Sequence, residues 1–123
     1  MRKEIQNWWK KAKQDLDSAE YNFKGKRYDV SAFLCQQSAE KALKALLLKK
    51  SGKVRKIRDL VELGKNVGLP ADLLDSSKEL TLAYIYTRYP DVPEVKNFGK
   101  IVRRFLKVSE ETLKWVKKQL SNN

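Results

Sequence analysis

The residues of this chain best placed to do chemistry are Gln37, Glu40, Lys41 and Lys44, inside the stretch SAFLCQQSAEKALKALLLKK, together with Arg88 in TRYPDVP. A helix turns by about 100° per residue, so the first four stack as one polar stripe. A stripe holding an amide, a carboxylate and two ammonium groups is either internal wiring between helices or a surface for an anion. Arg88 adds a planar fork of donors that suits a phosphate and a carboxylate equally well. On the structural reading, Arg88 reaches Glu40 or Asp91, Gln37 serves backbone groups at the proline corner, and the stripe fixes its helix against a neighbour. On the functional reading, Arg88, Lys41 and Lys44 form a cationic groove for an anionic ligand, with Tyr84 or Tyr89 available to stack on a base.

A second cationic feature is the run Lys49, Lys50, Lys53, Arg55, Lys56 and Arg58, which contains no acid before Asp59. Such a run either contacts phosphates without reading sequence, in a salt-sensitive way, or serves as a solvated link that keeps copies of the chain apart. The whole chain has 27 Lys plus Arg against 15 Asp plus Glu, a net charge of +12 and a pI near 9.8, a balance that suits polyanionic partners. There is no histidine. That removes the side chain best suited to proton transfer near neutral pH and the commonest transition-metal ligand, and the lone Cys35 cannot build a zinc site. No metal and no cofactor is expected. One thiol inside an apolar helical pattern, with no stretch of about 18 apolar residues anywhere, points to the cytoplasm and away from a membrane.

The elements that must position these groups follow from hydrophobic spacing. At 123 residues the chain fits one domain. Ile5, Trp8 or Trp9, Ala12, Leu16, Ala19 and Phe23 predict a helix over 3–24, with Gly25 as its stop. Asp29 is the N-cap candidate of a second helix with the core stripe Ala32, Cys35, Ala39, Ala42 and Leu46, ending at Ser51 and Gly52. A short third helix is expected over 57–66. Pro70 opens a fourth, with Leu73, Ser77, Leu80 and Tyr84 on one face, up to the corner at Pro90 and Pro93. A fifth is expected over 94–119, with Val95, Phe98, Val102, Phe105, Thr112, Val116 and Leu120 inside. Lys100, Arg103, Lys107, Lys114 and Lys118 lie on its outer side. The fold class is all-α: an up-and-down antiparallel helical bundle of four long helices plus one short helix. Adjacent Trp8 and Trp9 cannot both enter one core, so one is a candidate dimer contact unless neighbouring Lys stems cover it.

The pattern YDVSAFLCQQSAEKALKALL followed later by LAYIYTRYPD resembles the HEPN family of small helical domains. Trp8, Ala12, Asp15, Leu16 and Ala19 fit that family's opening segment, so the resemblance covers nearly the whole chain. It implies a helical bundle that pairs as a homodimer, deals with nucleotide or RNA, and works beside a minimal nucleotidyltransferase as a separate or fused partner. Some members of the family are metal-independent ribonucleases acting as toxins. In that branch an Arg is followed about four to six residues later by a His that takes the ribose 2′-hydroxyl proton while the Arg steadies the phosphate. Here Arg88 is present, but 91–95 contain no His, and a second His that the family often places before DLVEL is Arg58.

Three functions therefore stand at this point. The first is a non-catalytic module binding nucleotide or RNA phosphates through Arg88, Lys41 and Lys44, with Gln37, Glu40, Tyr89 and Asp91 around them. The second is a ribonuclease in which Arg88 stabilises charge and Asp91 or Glu94 stands in as base, a weak one unless its environment raises its pKa. The third is a bundle whose stripe is purely structural and whose partner is another protein.

Overall fold

The computed structural model describes residues 2–53, 56–57, 59–88 and 96–122, and of residues 83–88 it describes the backbone. Five helices follow one another: α1 (Lys3–Lys24), α2 (Tyr28–Ser51), α3 (Leu60–Val67), α4 (Ala71–Arg88) and α5 (Phe98–Ser121). Four are long and α3 is short, and they pack up and down as the hydrophobic spacing requires. Among the described residues no helix is long and apolar enough to cross a membrane.

The bundle is organised around α2. Its expected stripe, Ala32, Cys35, Ala39, Ala42 and Leu46, is buried, and so are Leu43, Ala45, Leu47 and Leu48 on its other sides. A helix apolar on most of its circumference must be surrounded, and α2 touches α1, α3, α4 and α5. Burying each of those leucines contributes about 2 kcal/mol, far more than helix propensity supplies.

The closest joint is α1 against α2, built from small residues. Ala12 and Ala19 of α1 are fully buried there, and Ser31 and Ser38 of α2 face them. With no bulk between the backbones, two hydroxyls of α2 reach carbonyls of α1: Ser31 Oγ donates to Ala19 O and Ser38 Oγ to Ala12 O, both at 2.7 Å. The later serine meets the earlier alanine, which fixes the pair as antiparallel. On the opposite side Ser109 Oγ of α5 donates to Cys35 O at 2.7 Å.

Helix ends differ from the sequence expectations in three places. Asp29 is not the N-cap of α2: the helix already begins at Tyr28 with Arg27 at the cap position, and Asp29 sits in the first turn. The tight turn explains this. Arg27 N–H donates to Asn22 O at 2.9 Å, and the left-handed residue is Lys26 at φ 61°, not Gly25, so the chain re-enters helix early. The short helix α3 starts at Leu60 rather than 57, because the Asp59 carboxylate accepts from Val61 N–H at 2.9 Å and caps it there. For α5 the helix begins at Phe98 rather than 94. Asn97 before it has φ 59°, a left-handed conformation that a continuous helix cannot contain. Val95, Pro90 and Pro93 lie outside the described residues, as does the side chain of Tyr84.

Candidate functional site

The polar stripe of α2 meets α1 along one line. Lys41 Nζ pairs with Asp15 of α1, whose side chain is only 7% exposed, and Lys11 Nζ stands 3.8 Å from the other oxygen of the same carboxylate. One turn further along α2, Lys44 Nζ lies 4.0 Å from Glu40 and 5.5 Å from the centre of the Trp8 ring. Glu40 is buried, at 8% exposure. Gln37 donates through Nε2 to Gln36 Oε1 at 2.8 Å, and the proline corner it is expected to serve lies outside the described residues. The seam therefore comprises Asp15 and Glu40 with Lys11, Lys41 and Lys44, a surplus of one positive charge.

Sequence reasoning missed Asp15 as the partner of Lys41. The signal was there: Asp15 falls between Ala12 and Ala19 on the buried face of α1, and an acid at such a position needs a cation. Of the two tryptophans, Trp8 has its ring facing Lys44. Both tryptophans are half-buried and each has a lysine over its ring, Lys13 lying 5.8 Å from the centre of Trp9. Neighbouring lysines thus lie over both rings.

Arg88 is the last residue of α4, a helix packed on α2, and its side chain lies outside the described residues, as do Tyr89, Asp91 and Glu94 altogether. In the basic run, Arg55 and Arg58 also lie outside them, while Lys53 and Lys56 are exposed. Lys49 and Lys50 have internal roles. Lys49 Nζ donates to Gln119 O at 3.1 Å and Leu120 O at 2.8 Å, and also to Asn122 O. Lys50 Nζ donates to Val67 O at 2.9 Å. The last carbonyls of α5 and α3 have no partners within their own helices, and an ammonium group at each also complements the negative end of the helix dipole.

Two further titratable groups are shifted, the Cys35 thiol inside the bundle and the Glu110 carboxyl at its surface. Burial pushes the Cys35 thiol up to about 12, against weaker lowering by hydrogen bonds with Ser109 and Ser31, so it is held as the unreactive thiol. Partial burial also raises the Glu110 carboxyl of α5 above its ordinary value, reinforced by a hydrogen bond with Glu20 of α1 and by the charges of Glu20 and Glu111. The folded protein holds the Glu110 proton more tightly than the unfolded chain. Its ionisation therefore destabilises the bundle at neutral pH, and the penalty disappears as pH falls through the raised value towards the ordinary 4.5. Glu110→Gln should accordingly melt above wild type at neutral pH, with the difference shrinking in mild acid. A difference in melting temperature that stays constant with pH would refute this assignment.

Chemically, each seam carboxylate faces an ammonium group. That is a geometry for fixing helix register and holding cations at set positions, not a nucleophile paired with a base. Among the described residues no group of His, Cys, Asp and Glu could hold a metal ion. The HEPN domain model matches residues 5–119, almost the full length of the bundle. The chain belongs to the HEPN domain family. An archaeal HEPN homologue of known crystal structure is 32% identical, with 98% of this chain and 100% of that one covered and a TM-score of 0.78. A crystal structure of a Thermus thermophilus protein is 27% identical over 96% of this chain and 99% of that one, with a TM-score of 0.83. An HEPN domain protein from Thermotoga maritima shares the fold at 21% identity, with 95% and 99% covered and a TM-score of 0.77. Among curated proteins none matches. In this HEPN domain α2 is the hub helix, with its charged stripe against α1.

Proposed function

We propose that this HEPN domain is a non-catalytic module that binds nucleotide or RNA phosphates, works as a homodimer and serves a minimal nucleotidyltransferase. Arg88 with Lys41 and Lys44 contacts the phosphate, and Gln37, Glu40, Tyr89 and Asp91 surround it. The observation carrying this reading is that α4, which ends on Arg88, packs on the helix that bears the stripe. Family membership and the surplus of basic residues support it, and the absence of histidine from the sequence favours binding over cleavage. Lys53, Arg55, Lys56 and Arg58 add phosphate contacts in the same reading, with Lys49 and Lys50 holding the helix ends beside them. Titrating ATP and a short RNA at two salt concentrations tests it. Arg88→Ala should weaken binding about tenfold, as expected for one charge-assisted phosphate contact. Unchanged affinity would remove Arg88 from the site.

One observation favours a second reading, in which the seam is a register device and the partner is another protein. Lys41 already has the buried Asp15 as its counter-ion, so it needs no ligand to be satisfied.

A further inference from the structure

At the end of the bundle where α1 turns into α2, a groove of about 510 Å³ opens between that turn and the start of α5, lined by Phe23, Tyr28, Asn97, Gly99, Lys100 and Arg103. Its charge differs in kind from that of the seam. Segments 23–29 and 96–103 carry the cations Lys24, Lys26, Arg27, Lys96, Lys100 and Arg103, and the one acid among them is Asp29. Among the described residues none of these six makes an ion pair, whereas Lys41 and Lys44 face carboxylates and Lys49 and Lys50 face carbonyls. The groove is therefore the concentration of uncompensated positive charge among the described residues that also has aromatic walls. Its volume falls in the range of sites that take one small polar ligand.

The walls touch one another. The Arg103 guanidinium is held 5.5 Å from the centre of the Phe23 ring, which orients its donors. The Phe23 and Tyr28 rings stand 5.5 Å apart, tilted by 56°. Tyr28 lies against the first turn of α5 because residue 99 has no side chain: a Cβ there would come within 3.0 Å of Tyr28 Cζ and 3.2 Å of its hydroxyl.

We propose that this groove takes one unpaired nucleotide of an RNA strand, its base against Tyr28 and its phosphates on Lys100 and Arg103. A strand suits the site better than a free nucleotide because the cations continue past the groove on both sides, along the α1–α2 turn and along α5. The proposal rests on the phosphate-binding reading for its class of ligand, but it assigns different residues.

The experiment is fluorescence anisotropy of a short, unstructured, labelled RNA at two salt concentrations, with AMP as competitor. The double variant Lys100→Ala/Arg103→Ala should weaken binding about tenfold or more and flatten the salt dependence, and Tyr28→Leu should weaken it about fivefold without changing the salt slope. Lys100→Glu, at an exposed position, keeps the test valid if loss of Arg103 or Tyr28 disturbs folding, and it should weaken binding at least as much as loss of the charge. Arg88→Ala is measured in parallel. Loss in the groove variants with Arg88→Ala unaffected supports the groove and removes the seam. Loss in Arg88→Ala with the groove variants unaffected overturns the groove and leaves the seam standing. AMP competing as well as RNA of the same nucleotide concentration, or no binding of RNA by the wild type, overturns the strand.

Discussion

Lys41→Met is expected to lower the stability of this HEPN domain by about 3 kcal/mol, which for a chain of this size is a fall of ~12 °C in melting temperature. The size of the effect comes from what is left behind. Asp15 is 5% exposed, and without Lys41 its nearest cation is Lys11, 3.8 Å away on a side chain 58% exposed to water. An exposed pair of that kind contributes about 0.5 kcal/mol at most, so it cannot compensate for a carboxylate enclosed between two helices. Adding Asp15→Leu to Lys41→Met should restore most of the loss, because two apolar groups in a shared pocket leave no unpaired charge. Thermal melts of the two single variants and the double variant close the cycle. If Lys41→Met melts within a degree of wild type, the pair has no structural weight and the seam is free to serve a ligand.

Ala12→Leu should be of similar size, about 3 kcal/mol, for the opposite reason. Ala12 is fully buried, and its carbonyl receives Ser38 Oγ at 2.7 Å, a distance that requires the backbones of α1 and α2 to nearly touch. Three extra carbons have nowhere to go except between the helices. Overpacking of this kind costs about 1–3 kcal/mol, and here separation of the helices also breaks the Ser38 bond and strains its companion at Ser31. Ser38→Ala removes one bond without adding volume and should cost about 1 kcal/mol. Equal losses in the two variants, measured by urea unfolding, would mean that the hydroxyl and not the close approach governs the joint.

The helices were legible because their spacing is regular and their breakers are strong. The stripe Ala32, Cys35, Ala39, Ala42 and Leu46 named the buried face of α2, and Gly52 and Gly68 end their helices at φ 75° and 77°. The boundaries that moved did so where a local bond outvoted a propensity: Arg27 N–H reaching back to Asn22 starts α2 early, and the Asp59 cap delays α3. The candidate site was only half legible. Periodicity gathered Gln37, Glu40, Lys41 and Lys44 on one stripe, but it carries no information about which residue of another helix will face them. Asp15 lies 26 positions from Lys41 in sequence, and Lys49 finds its acceptors 70 and 71 positions away. Such pairings are set by how the helices dock. The groove at Tyr28 and Arg103 was likewise invisible, since its two walls come from segments that no short motif joins.

The ammonium groups of Lys49 and Lys50 have one more consequence. A helix ordinarily frays from its ends, losing residues one by one while the rest of the molecule stays intact. Here the tip of α5 is tied to the hub helix, and the tip of α3 is tied beside it. Unzipping α5 from this end must therefore strip the counter-dipole from a lysine that is itself part-buried, which raises the cost of fraying there.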